Sequence, residues 1–215
     1  MPGIILLLLL PHWPAIAGEG FVGALASGYR WGTYSSAGES EDTHSGIGLH
    51  ASGGYRFFSN VDVGARLAFG FPQITVPESS SSAAFDYRAF GLQAGYLWRG
   101  KVEPYVHYSP YAHLAQSTKA RSGVGTVTTE LAYTGAAYGA GLKVFLTDDR
   151  ADVASVQVGL DFSYTRESYS RATVSTSISS DTQHAPPPFT PSSESHKGKQ
   201  TLGGDTYLLG LFIGI

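Results

Sequence analysis

His107 and Ser109 have the residue types for acyl-transfer chemistry. A serine hydroxyl becomes a useful nucleophile when a neighbouring imidazole takes its proton. On an extended strand, positions i and i+2 share a face, so the two side chains are expected side by side. Such a pair also needs an acid to orient the imidazole. The next acid along the chain, Glu130, has the wrong strand parity for that role, and Pro110 follows the serine directly. His107 and Ser109 are therefore the catalytic candidates, but no catalysis is expected. The remaining histidines considered, His44, His184 and His196, fall in segments expected to be loops and lack metal-ligand spacing. The chain has no Cys, which excludes disulfides and thiolate metal sites. No metal or cofactor is expected.

Strands are the elements that must position these residues. Charged residues make up only 14% of 215, yet no internal run reaches the length of a transmembrane helix. Gly (27) and Tyr (13) are abundant, which suits a tightly curved sheet with amphipathic anchors at a water boundary. The net charge of −3 gives no electrostatic reason to expect nucleic acid as a partner. From about residue 20 the apolar period is two. Eight segments follow, at about 20–34, 46–58, 62–75, 86–99, 103–116, 129–146, 153–166 and 205–215. Short connections (59–61, 100–102, 147–152) alternate with long polar ones (35–45, 76–85, 117–128, 167–204). This is the organisation of an all-β, eight-stranded antiparallel up-and-down transmembrane β-barrel, with short turns at one rim and long loops at the other.

The two faces differ in kind. One carries Gly, Ala and Ser with a few charged and polar groups, and these are expected to fill the lumen: Arg30, His50, Arg56, Arg66, Gln93, His107, Lys143 and Asp161. Eight strands leave an interior just wide enough for side chains. Asp161 is the one inward acid expected, paired with an inward Arg or Lys. The other face is apolar and carries aromatics near the strand ends. Phe57, Trp98 and Tyr108 belong toward the short-turn rim, and Tyr29, Trp31, Phe71, Phe90, Tyr164 and Tyr207 toward the other. That is the pattern of two interfacial girdles. Pro110 interrupts the segment 103–116. It is expected to remove one ladder hydrogen bond without a bulge, because a bulge would turn His113 toward lipid.

Ahead of the strands, Ile4–Leu10 reads as the apolar core of a signal peptide, and Ala15-Ile16-Ala17 as a small-x-small cleavage site. Residues 1–17 are thus expected to be a signal peptide and 18–215 the barrel domain. No Lys or Arg precedes the apolar run, which leaves room for a longer leader upstream. In the last loop, Ser/Thr-rich sequence and Ala185-Pro-Pro-Pro-Phe-Thr-Pro191 favour disorder and extended polyproline geometry. Its first part, 168–178, has the alternative of prolonging the seventh strand above the membrane.

In this organisation, residues 20–215 resemble the small eight-stranded outer-membrane barrels of the OmpA membrane-domain, OmpX and opacity-protein type. The resemblance implies a bacterial outer-membrane location with both termini periplasmic. It also implies contact with outer-membrane lipid and lipopolysaccharide, and insertion by the barrel assembly machinery. Members of these families end in an aromatic residue, whereas Tyr207–Ile215 keeps the alternation and ends in Ile. His107-Tyr108-Ser109 is similar to the His-x-Ser pair of outer-membrane lipid A deacylases. Those enzymes carry Asn where Pro110 stands, and their site lies near the outer leaflet rather than toward the periplasmic half. The function expected is structural or surface interaction through the long loops. The rival readings are a small pore or apolar conduit, a lipid A hydrolase, and a soluble periplasmic barrel or sandwich.

Overall fold

The computed structural model describes residues 20–36, 42–58, 60–75, 82–122, 125–147, 156–180, 193–198 and 201–215. The expected signal peptide and cleavage site, His184 and the proline tract lie outside the described residues. The strands are β1 (Gly20–Ser36), β2 (Asp42–Phe57), β3 (Val61–Thr75), β4 (Ser82–Ala84), β5 (Asp86–Tyr96), β6 (Val102–Ser122), β7 (Gly125–Phe145), β8 (Gln157–Ser180), β9 (Ser193–Gly198) and β10 (Leu202–Gly214). Eight of them (β1, β2, β3, β5, β6, β7, β8 and β10) run up and down, each antiparallel to its neighbours. The ring closes because β10 pairs with both β8 and β1. The seam runs to its lower end, where Gly23 and Ile215 exchange both backbone hydrogen bonds at 3.0 and 2.9 Å. Closure leaves the barrel without an edge, the condition for a sheet that crosses hydrocarbon.

Tight turns hold one rim. Phe57 is paired with Val61 and its carbonyl accepts from the Asn60 amide at 3.1 Å, with Phe58 at φ 51°. The next turn, Trp98-Arg99-Gly100-Lys101, places Arg99 and Gly100 at φ 53° and 66°. Two successive positive φ values are what a tight hairpin turn matching strand twist requires, and glycine adopts the second without strain.

At the opposite rim the strands outrun the sequence reading. β6 and β7 remain paired up to Ser122 and Gly125, and β8 continues to Ser180, so 117–122, 125–128 and 167–180 are ladder rather than loop. β9 then pairs with β8 at 172–177. The cause is local: runs such as Thr126-Val-Thr-Thr129 and Thr173-Val-Ser-Thr176 are rich in β-branched residues and suit strands. Both faces there are polar, so no apolar stripe marked them as sheet.

Pro110 corrects a second expectation, for β6 is bulged. Its register shifts between Ser109 and Ala112 against β7 and between Phe90 and Leu92 against β5. Pro110 and Tyr111 both face out, Ala112 and Leu114 are fully buried, and His113 joins Tyr111 outside, with ring planes 4° apart. The unbulged strand would have spent a ladder position on a residue with no N–H. The bulge places that residue where two residues oppose one. β8 mirrors the device, since Thr134 opposes Arg171 while Gly135 opposes Tyr169, leaving Ser170 as the extra residue.

Below these bulges the alternation is regular, as in β5, where every second residue from Tyr87 to Gly95 is buried. The outward face carries Leu25, Ile47, Leu67, Leu92, Val106, Leu142, Leu160 and Leu211, all exposed.

Candidate functional site in the barrel lumen

The upper lumen is organised around Glu167 on β8, which is 1% exposed. Its carboxylate accepts from Arg30 Nη2 and Thr206 Oγ1 on one oxygen and from the Tyr34 and Tyr169 hydroxyls on the other, the last two at 2.7 Å each. Arg30 also donates to the Tyr34 hydroxyl at 2.9 Å and stacks on Tyr87, its guanidinium carbon 3.9 Å from the ring centre. Arg30 reaches across because the inner wall is bare where it passes: a Cβ on Gly70 would lie 2.8 Å from Arg30 Nη1. His44, read as a loop residue, is buried in β2, stacked on Tyr34 at 4.4 Å and 3.2 Å from Thr206 Oγ1.

In the middle of the barrel Asp161 makes no hydrogen bond or ion pair to an Arg or Lys among the described residues, contrary to expectation. It accepts from His50 Nε2 and from the Tyr105 hydroxyl, both at 2.8 Å. His50 Nδ1 lies 3.3 Å from Arg66 Nη2. The imidazole therefore bridges a carboxylate and a guanidinium, a geometry that places its proton on Nε2. Lys143 stands opposite both Asp161 and Glu103 in register, and its Nζ goes to Glu103 at 2.9 Å. Toward the turns, Arg56 holds its cross-strand partner Asp62 with two bonds, at 2.7 and 2.9 Å. A bidentate pair of this kind is the strong form of carboxylate recognition.

Among the described residues the lumen thus contains four acids where one was expected. Asp62, Glu103 and Glu167 were missed because they lie at or beyond the assigned strand ends. Parity was the available signal: Asp62 shares it with Arg66, Glu103 with His107, and Glu167 with Asp161.

His107 and Ser109 are both buried on the inner face. His107 Nε2 meets Thr165 Oγ1 at 3.3 Å, while its Nδ1 has no hydrogen-bond partner. Among the described residues, no carboxylate lies within hydrogen-bond reach of this imidazole. Gln93 is buried nearby, in the wall toward the turns.

Two apolar clusters bracket the polar groups. Tyr34, Tyr87, Ala112, Leu114, Ala137 and Tyr169 pack toward the loops, and Ala26, Leu97, Phe145 and Phe212 toward the turns. Phe145 and Phe212 meet edge to face at 5.0 Å. Outside, Tyr29, Trp31, Phe57, Phe71, Phe90, Trp98, Tyr108, Tyr164 and Tyr207 all face away from the lumen. Trp31 stacks between Tyr29 (5.8 Å) and Tyr207 (5.9 Å), and Tyr164 extends the run at 5.4 Å from Tyr207.

Residues 3–184 match a family model described as an outer membrane protein beta-barrel domain. Among solved structures, Ail, the attachment invasion locus protein of Yersinia pestis, is similar at 16% identity and a TM-score of 0.51, covering 90% of this chain and 98% of that one. The same protein in complex with the heparin analogue sucrose octasulfate gives 15% identity and a TM-score of 0.52, covering 91% and 99%. These likenesses establish the fold alone. The outer membrane protein OprG of Pseudomonas aeruginosa matches at 10% identity and a TM-score of 0.44, covering 92% and 97%, and carries no further argument. A comparison with curated proteins finds no match.

Proposed function

Because the chain belongs to the family of outer-membrane β-barrel domains, we propose that it serves as a closed, non-catalytic barrel whose role is structural or one of surface interaction. The observation that carries this reading is the filled lumen. Its buried ion pairs and hydrogen bonds interleave with two apolar clusters, an arrangement that supports a packed interior over a conduit. The burial of His107 and Ser109, with no acid on the imidazole, speaks against hydrolysis. The outward belt of Leu, Phe, Tyr and Trp far exceeds the apolar patch a soluble monomer tolerates, which favours lipid over water around it.

In this reading the tight-turn rim, with the start of β1 and the end of β10, faces the periplasm, and the prolonged β6–β9 structure faces outward, where it meets surface ligands. Outer-membrane lipid and lipopolysaccharide surround the belt, and the barrel assembly machinery inserts it. The test is reconstitution in planar bilayers, with heat-modifiable gel migration as proof of folding. Folded protein without discrete conductance is expected. Stable single-channel steps would overturn the reading in favour of a pore.

A further inference from the structure

A cavity of about 30 Å³ lies in the lumen, lined by Arg30, Arg66, His107 and Glu167 among others. Three buried nitrogens in its wall have no hydrogen-bond partner: Arg30 Nε, Arg66 Nη1 and His107 Nδ1. Both guanidinium nitrogens are donors only. The lining acid, Glu167, is already engaged by four donors. The nearest other counter-charge, Asp161, sits behind the His50 ring and is held there by Tyr105. The walls therefore carry two cations against one anion, and the two unpartnered guanidinium nitrogens can only donate.

We infer that this chamber is a binding site for a single monoatomic anion of halide size, held by Arg66 Nη1 with Arg30 Nε and the His107 ring in its wall. The ion supplies the acceptor that the buried guanidinium groups lack, and charge-assisted bonds are the ones that offset desolvation. A water molecule of similar size can give a proton to His107 Nδ1, but it brings no negative charge to offset the second guanidinium.

The test is to refold the unaltered chain in chloride-free bromide buffer and collect anomalous diffraction from its crystals. One anomalous peak within hydrogen-bond reach of Arg66 is expected. A peak of water height without anomalous signal, or an empty chamber, overturns the inference. In parallel, the urea midpoint is compared in bromide and in sulfate at equal ionic strength, for the unaltered chain and for Arg66→Met. A higher midpoint in bromide is expected, lost in the variant, and an equal shift in both proteins overturns the site. The diffraction arm uses the unaltered chain and decides the matter even where the variant fails to fold.

Discussion

His50 Nε2 lies 2.8 Å from Asp161 Oδ2, with the two residues on strands β2 and β8, well apart around the ring. The contact crosses the lumen rather than running along its wall. It ties the first half of the chain to the second by a bond no hairpin supplies, and through Nδ1 it extends to Arg66 on β3. The geometry makes the imidazole a neutral spacer that donates to the acid and accepts from the guanidinium.

That assignment is open to measurement. Nitrogen-15 chemical shifts of His50 in the refolded barrel are expected to report the tautomer protonated at Nε2. Protonation at Nδ1 alone would break the proposed bridge to Arg66. Asp161→Leu removes the acceptor that holds the His50 ring in place against Arg66. Breaking a buried ionic network by deleting one partner costs about 3–5 kcal/mol, so the urea midpoint in lipid is expected to fall accordingly. A change below about 1 kcal/mol would mean that the network contributes little.

Gly70 and Glu167 are expected to act on one contact from opposite sides. A side chain at Gly70 meets Arg30, which a Gly70→Val barrel must move away from Glu167. Glu167→Gln removes the charge that holds Arg30. Each substitution alone is expected to destabilise the barrel. Because both break the same pair, the double variant should lose less than the sum by roughly 0.5–3 kcal/mol, the range for residues sharing a network. Strict additivity would show that Gly70 acts through the backbone instead.

These residues also mark where the sequence was legible and where it was not. The ring of eight strands, its two faces and the inward positions of Arg30, His50, Arg66 and Asp161 follow from period-two alternation, because a strand has only two faces. Partner choice did not follow. Lys143 faces both Glu103 and Asp161 in register, and reach and geometry rather than spacing decide between them. Glu167 was hidden because the apolar stripe ends at Tyr164, with the outer face turning to Arg166 and Ser168, while the inner face continues its parity to Tyr169. Pro110 was misread because the cost of exposing His113 was set above the cost of a missing ladder bond. The aromatic belt reverses that balance, since His113 stacks on Tyr111 at its boundary.

The bulge at Pro110 separates two topologies that single cysteines can distinguish, since the chain has none of its own. His113→Cys carrying an environment-sensitive fluorophore is expected to respond to brominated lipid. Leu114→Cys, buried within the lumen, is expected to resist labelling until the barrel is unfolded. The reverse result would restore the unbulged strand and return Tyr111 and His113 to the interior.

Leu92 tests whether the apolar belt faces lipid at all. Its side chain is 63% exposed and sits mid-way along β5, between Phe90 and Ala94 on the outer face. If water covered that face, Leu92→Arg would be a surface substitution and shift stability by no more than about 0.5 kcal/mol. In hydrocarbon, an outward arginine near the midplane costs about 2–4 kcal/mol, falling to about 0–1 near the interfaces. The expected outcome is therefore a large loss for Leu92→Arg and a small one for Trp98→Arg at the turn rim, both read as urea midpoints in lipid vesicles. The depth dependence carries the test: a folding defect unrelated to lipid has no reason to be graded from the middle of β5 to its end. Equal effects at the two positions would remove the membrane assignment of this face.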